Sequence, residues 1–147
     1  SDFQVTVPEL GTFKAEQPPI VIITSNRTRE IHDALKRRCL YHWVGYPDAE
    51  RETEIVKTKV PEAPAKLTAQ IVAFVQRLRQ EDLFKLPGVA ETLDWAGALH
   101  ELNALALDPA LVTDTLGVIL KYQDDIEKIG GAKVEQMLSD MRSEARV

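Results

Sequence analysis

The first residues alternate, with Phe3, Val5 and Val7 apolar and Gln4 and Thr6 polar, which is the period of a strand covered on one face. Pro8-Glu9-Leu10-Gly11 supplies turn chemistry and Thr12-Phe13-Lys14-Ala15 can return beside the first run, so a β-hairpin is expected. After Gln17-Pro18-Pro19 the alternation gives way to Ile20-Val21-Ile22-Ile23-Thr24, a β-branched run suited to a strand buried on both faces of a parallel sheet. A helix is predicted from Thr28, its cap, to about Arg38, with Ile31, Ala34 and Leu35 on one side. Lys36, Arg37 and Arg38 would complement the negative end of its dipole. Leu40-Tyr41-His42-Trp43-Val44 reads as a second parallel strand, Gly45-Tyr46-Pro47 breaks it, and Asp48 caps a charged helix ending near Lys59.

Beyond Pro61-Glu62-Ala63-Pro64 the apolar positions take helical period. Leu67, Ile71, Phe74, Val75 and Leu78 form one stripe, and Leu93, Ala96, Leu99 and Leu102 a second. A third, from Leu111 to Tyr122, is opened by Asp108-Pro109 and closed by Gly130-Gly131, and a last helix carries Val134, Met137, Leu138 and Met141. The expected fold is therefore α/β plus all-α: residues 1–60 as a hairpin, two parallel strands and two helices, and residues 61–147 as a four-helix domain. Two parallel strands and a hairpin cannot cover both faces of a sheet that normally has about four to six strands. An upstream part of the sheet is expected, in keeping with the abrupt start at Ser1.

Composition narrows the function classes. The 147 residues are 44% apolar and 28% charged, enough for a buried core and against wholesale disorder. The longest purely apolar run, Ile71 to Val75, falls far short of the roughly 20 residues that span a bilayer, so no membrane partner is expected. Cys39 is the only cysteine, which allows neither an internal disulfide nor a cysteine-based metal site and points to a reducing, cytoplasmic setting. The net charge is −5, and residues 100–147 hold nine acidic and five basic groups, a balance that disfavours nucleic acid as partner. Against it stands a local basic cluster of Arg27, Arg29, Lys36, Arg37 and Arg38.

Candidate chemistry gathers around that cluster. Ligands of open α/β sheets bind beyond the carboxyl ends of strands, where Thr24-Ser25-Asn26 would lie. The Asn26 amide can donate to a phosphate oxygen and accept from an attacking water, and it serves equally well to shape the turn into the next helix. Arg37 and Arg38 offer planar, permanently charged forks suited to a transferring phosphoryl group; by charge pattern alone they also suit a solvated helix end. His32, His42 and His100 lack the spacing of metal ligands, so no metal site is expected, and Trp43 and Trp95 are read as core anchors.

The order of Val7-Pro8-Glu9-Leu10-Gly11-Thr12, Thr24-Ser25-Asn26-Arg27-Thr28-Arg29-Glu30, Asp33-Ala34-Leu35-Lys36-Arg37-Arg38-Cys39-Leu40-Tyr41 and Tyr46-Pro47 closely resembles the MoxR branch of the AAA+ ATPases. The resemblance continues through Glu91-Thr92-Leu93-Asp94-Trp95-Ala96 and Thr115-Leu116-Gly117, covering nearly the whole chain. It implies that residues 1–60 are the C-terminal part of the α/β nucleotide-binding core and 61–147 the helical lid. It makes the hairpin the pre-sensor insertion, Asn26 the sensor 1 residue and Arg37-Arg38 the arginine-finger position, with Arg38 preferred. For the intact protein it implies ATP and Mg²⁺, self-association in a hexameric ring, a client protein remodelled or matured by a chaperone-like activity, and a von Willebrand factor A-domain partner. The competing reading is a non-enzymatic helical interaction module whose acidic C-terminal half docks a basic partner.

Some family parts are missing from the chain. None of the seven glycines precedes a lysine, so the P-loop pattern cannot occur, and no apolar strand ends in an acidic pair for Mg²⁺. Asp124-Asp125 falls in a helical pattern and is read as a solvated face. No arginine lies between Arg79 and Arg142, so Ala90 takes the place of the family's sensor 2 arginine, with Lys85 as a substitute donor. The 147-residue chain alone is expected neither to bind nor to hydrolyse ATP; calorimetry should show no binding at micromolar nucleotide, and a micromolar Kd would contradict the reading.

Overall fold

The computed structural model describes residues 3–25 and 31–144. The chain divides into two compact units, Ser1–Trp43 and Val44–Val147. The expected boundary at 60/61 falls between two helices of the second unit.

In the first unit, β1 (Gln4–Val7) and β2 (Gly11–Lys14) form the expected antiparallel hairpin, paired from Gln4 with Lys14 to Val7 with Gly11. The Val7 carbonyl accepts from Leu10 N at 3.1 Å, with Pro8 leading the turn and Glu9 at φ 75°. That left-handed residue would ordinarily be Gly or Asn. The Thr6 and Thr12 hydroxyls meet at 2.8 Å across the ladder. A short helix, α1 (Asp33–Lys36), follows, with His32 Nδ1 accepting from Ala34 N at its start. It replaces the helix expected from Thr28 to Arg38, and Thr28 lies outside the described residues.

The two parallel strands are a correction. Neither Ile20–Thr24 nor Leu40–Val44 joins a ladder, and the hairpin is the one sheet among the described residues. A β-branched run needs hydrogen-bonding neighbours at both edges to be buried as a strand, and the described residues provide none. Ile20 is accordingly 94% exposed and Leu40 fully so. Trp43, expected in a core, is exposed and meets Tyr41 edge-on at 5.4 Å between ring centres.

The second unit is helical. Asp48 Oδ1 accepts from Arg51 N at 2.8 Å and opens α2 (Ala49–Lys59), as expected. Pro64 precedes α3 (Ala65–Leu78), Gly88 precedes α4 (Val89–Glu101), and Asp108 with Pro109 opens α5 (Pro109–Ile119). The third stripe does not run on to Gly130. Leu120 turns extended at φ −110°, ψ 130° and is buried, and Lys121 Nζ donates to the Val118 carbonyl at 2.6 Å, closing α5. A separate α6 (Gln123–Ile129) follows, then α7 (Ala132–Glu144), so the described residues from 61 to 144 hold five helices where four were expected.

The helices enclose one apolar core. Phe74 and Trp95 pack at 5.5 Å between ring centres, and Trp95 Nε1 donates to Thr115 Oγ1 at 2.8 Å, so Trp95 is the anchor its sequence context suggests. Asp125 is also buried, contrary to the expected solvated face: its two carboxylate oxygens accept from Phe84 N and Lys85 N at 2.8 and 3.2 Å, fixing the α3–α4 loop.

A polar cluster joins α2, α3 and α4. The Glu52 carboxylate, fully buried, accepts from Arg79 Nη1 and Nη2, both at 2.7 Å, from Gln76 Nε2 at 2.8 Å and from Thr92 Oγ1 at 2.8 Å. Four donors on two oxygens offset the loss of water around the charge, and the Arg79 side chain is only 6% exposed. Glu52→Ala strands that cation and should cost about 3–5 kcal/mol in urea unfolding. Replacing Glu52 and Arg79 together by Leu and Met should cost clearly less than the single change, the non-additivity expected of a buried pair.

Candidate functional site

The candidate residues of the first unit sit on and around α1. Asn26 lies outside the described residues. Arg37 is the C-cap of α1 at φ −67°, ψ −16°, its backbone N donating to the Asp33 carbonyl at 3.0 Å, and Arg38 N donates to the Leu35 carbonyl at 3.0 Å. Backbone hydrogen bonding thus fixes where both side chains begin, while the residues themselves are exposed. Lys36 turns back to Asp33 at 3.7 Å, and neither arginine makes an ion pair among the described residues. Two guanidinium groups on one turn are therefore available to an external anion. Each presents a planar donor fork that a phosphate or carboxylate can meet with two parallel hydrogen bonds.

In the second unit the region of interest is the start of α4. Ala90 is its second residue, exposed, and its methyl group donates nothing. The first turn is closed from within: Glu91 Oε2 accepts from Gly88 N at 3.0 Å, and Lys85 Nζ lies 3.9 Å from Glu91 Oε1. A Cβ at position 88 would lie 2.9 Å from Glu91 Oε2, so glycine lets the carboxylate close on the backbone without being pushed aside. Lys85, the expected substitute donor, remains half exposed beside this carboxylate. The helix end that the resemblance equips with a guanidinium thus carries an acidic cap and a lysine across from it.

The charged residue that sequence reasoning misses is Arg79. Along the chain it marks only the last arginine before a gap, whereas in the fold its guanidinium bridges Glu52 and the Pro87 carbonyl, to which Nε donates at 2.8 Å. Its face lies against Tyr46, 4.6 Å from the ring centre. One signal is present in the sequence: Glu52 stands four residues before Val56, on the side of α2 that faces the core. His32, exposed, takes a capping role at the start of α1 that its spacing does not reveal.

Among the described residues no group of three or more His, Cys, Asp or Glu side chains could hold a metal ion, and no helix is long and apolar enough to cross a membrane. No family model matches the chain, and no curated protein or solved structure matches it either.

Since Arg37 and Arg38 support no buried contact, Arg37→Ala and Arg38→Ala should each leave the unfolding free energy of the chain within about 0.5 kcal/mol of wild type, measured by urea titration. A larger loss would give the pair a structural role.

Proposed function

We propose that the chain is the C-terminal part of a MoxR-type AAA+ ATPase, in which Arg38, seconded by Arg37, serves a neighbouring subunit as arginine finger. One observation carries this reading: the two arginines of the motif lie exposed on a backbone-fixed turn, with no ion-pair partner among the described residues. A cationic helix end that served only its own dipole would not need arginine, since lysine complements the dipole as well.

The chemistry asked of this chain is limited. It has no glycine-lysine pair to cradle phosphates, and its described residues offer no metal cluster, so they do not fit the grip on nucleotide and Mg²⁺. Upstream residues of the intact protein would bind the nucleotide. The Arg38 fork would donate to the oxygens of the phosphoryl group as charge spreads over them, and Asn26 would orient the attacking water in its own subunit. Residues 61–147 would act as the lid. Ala90 and the Glu91 cap leave that lid without a guanidinium at the start of α4, so contact with the terminal phosphate there falls to no residue or to Lys85. Hydrolysis in a hexameric ring would drive remodelling of a client protein, in company with a von Willebrand factor A-domain partner. The exposed Ile20–Ile23 run suits this reading, as a strand completed by upstream neighbours.

The test uses the full-length protein. Arg38→Ala should leave nucleotide binding intact and lower turnover by about 10³–10⁵. Mixing it with a P-loop variant should restore part of the activity, because each subunit then lacks a different half of a shared site. Turnover within about threefold of wild type for both Arg37→Ala and Arg38→Ala would remove the finger assignment and leave a cationic helix end.

A further inference from the structure

We infer that Arg79 is a positioning residue that ties Tyr46-Pro47, where the helical unit begins, to the Pro87-Gly88 lead into α4, so that displacing the first loosens the second. Its guanidinium is engaged on three sides at once. The Nη edge grips Glu52 with two 2.7 Å hydrogen bonds, Nε donates to the Pro87 carbonyl at 2.8 Å, and the flat face rests 4.6 Å from the centre of the Tyr46 ring. Because the group is planar and rigid, a rotation that follows Tyr46 must also lengthen the bond to Pro87. Gln76 doubles the tie: its Nε2 donates to the Pro47 carbonyl at 3.0 Å and to Glu52 Oε2 at 2.8 Å. At the far end, Thr92 Oγ1 donates to Glu52 Oε1 at 2.8 Å and lies 3.1 Å from the Gly88 carbonyl, so the first turn of α4 hangs from the same carboxylate.

The attachment of Tyr46 differs in kind from the rest of the helical unit. The residue is 53% exposed, so it is held by the face of a cation rather than by a surrounding core. Such a contact can be given up without opening a cavity, and the residues it releases directly follow Trp43, the end of the unit that carries Arg37 and Arg38. The coupling stands on this geometry alone. Its use in turnover rests on the ATPase reading: a displacement at Tyr46-Pro47, ahead of the lid, would reach the first turn of α4 through Arg79, in place of an arginine at position 90.

Amide hydrogen exchange on the 147-residue chain tests the coupling. Tyr46→Ala and Tyr46→Leu both remove the aromatic face, and Leu keeps apolar bulk, so both should speed exchange at Gly88 and Thr92 by about two- to fivefold. The Val72 and Leu99 amides should keep their wild-type rates, and Tyr46→Phe, which retains the face, should restore all four. Unchanged rates at Gly88 and Thr92, equal acceleration of all four amides, or failure of Phe to restore them would each overturn the inference. A full-length protein without ATPase activity would remove the reading above, and the coupling would then stand or fall on these exchange rates.

Discussion

A carboxylate with no exposed surface has to be answered by donors from every direction, and in this protein that requirement organises the helical unit. Glu52 leaves α2, while its donors come from α3, from the residue that caps it and from α4, so the three helices can be placed in only one mutual arrangement. Apolar packing around Val56, Phe74 and Trp95 supplies the drive for burial but is tolerant of small shifts. The hydrogen bonds are not tolerant, because a fraction of an ångström or a rotated guanidinium leaves a buried charge partly unsatisfied. Replacement of such a group by well-packed hydrophobes is often neutral for stability, so what the cluster contributes is a unique geometry at the ends of α2, α3 and α4.

The two units differ in how much of their surface is settled internally. The helical unit has a continuous core, and ion pairs bring α7 onto α3 and the loop that follows it, Arg77 with Glu144 at 2.6 Å and Lys133 with Glu81 at 2.8 Å. The first unit has a two-stranded hairpin whose large side chains are exposed, and a two-stranded hairpin by itself is marginal in water. Exposed Ile20, Val21 and Ile22 in a row form the sort of apolar patch that a protein ordinarily covers. The exposed arginines and the uncovered apolar run therefore occur together, in the unit whose surface is the less settled internally.

Local signals in the sequence are reliable where they are self-contained. Asp48 and Asp108 cap α2 and α5 because an N-cap needs only its own first turn, and the hairpin forms because its turn and its pairing are neighbours. The run Ile20–Thr24 fails as a strand because its β-branched composition specifies a preference that only edge partners can realise. The break between α5 and α6 escapes the periodicity since Leu120 is apolar and fits a continuing stripe; what ends the helix is its burial in an extended backbone and the lysine that follows. The burial of Asp125 and Glu52 is hidden for another reason: charge alone cannot reveal a partner 40 or 27 residues away. Around the candidate site, the exposed cationic end of α1 at Arg37 and Arg38 follows from the charge pattern, while the internal closure of α4 by Glu91 needs coordinates.

The contact of α3 with α7 also sets an order in time. Val134, Met137 and Leu138 complete the same core that Leu67 and Ile71 begin, yet they are made long after α3 has left the ribosome's active centre. At ribosomal speeds of about 5–20 residues per second, α3 waits roughly 3–12 s for its partner. During that interval only the part of its apolar stripe that faces α7 lacks native cover, since α2 is already made and α4 follows within a few seconds. The core of this unit closes only once α7 has been made, and a chain stopped before α7 would leave that side of α3 facing water.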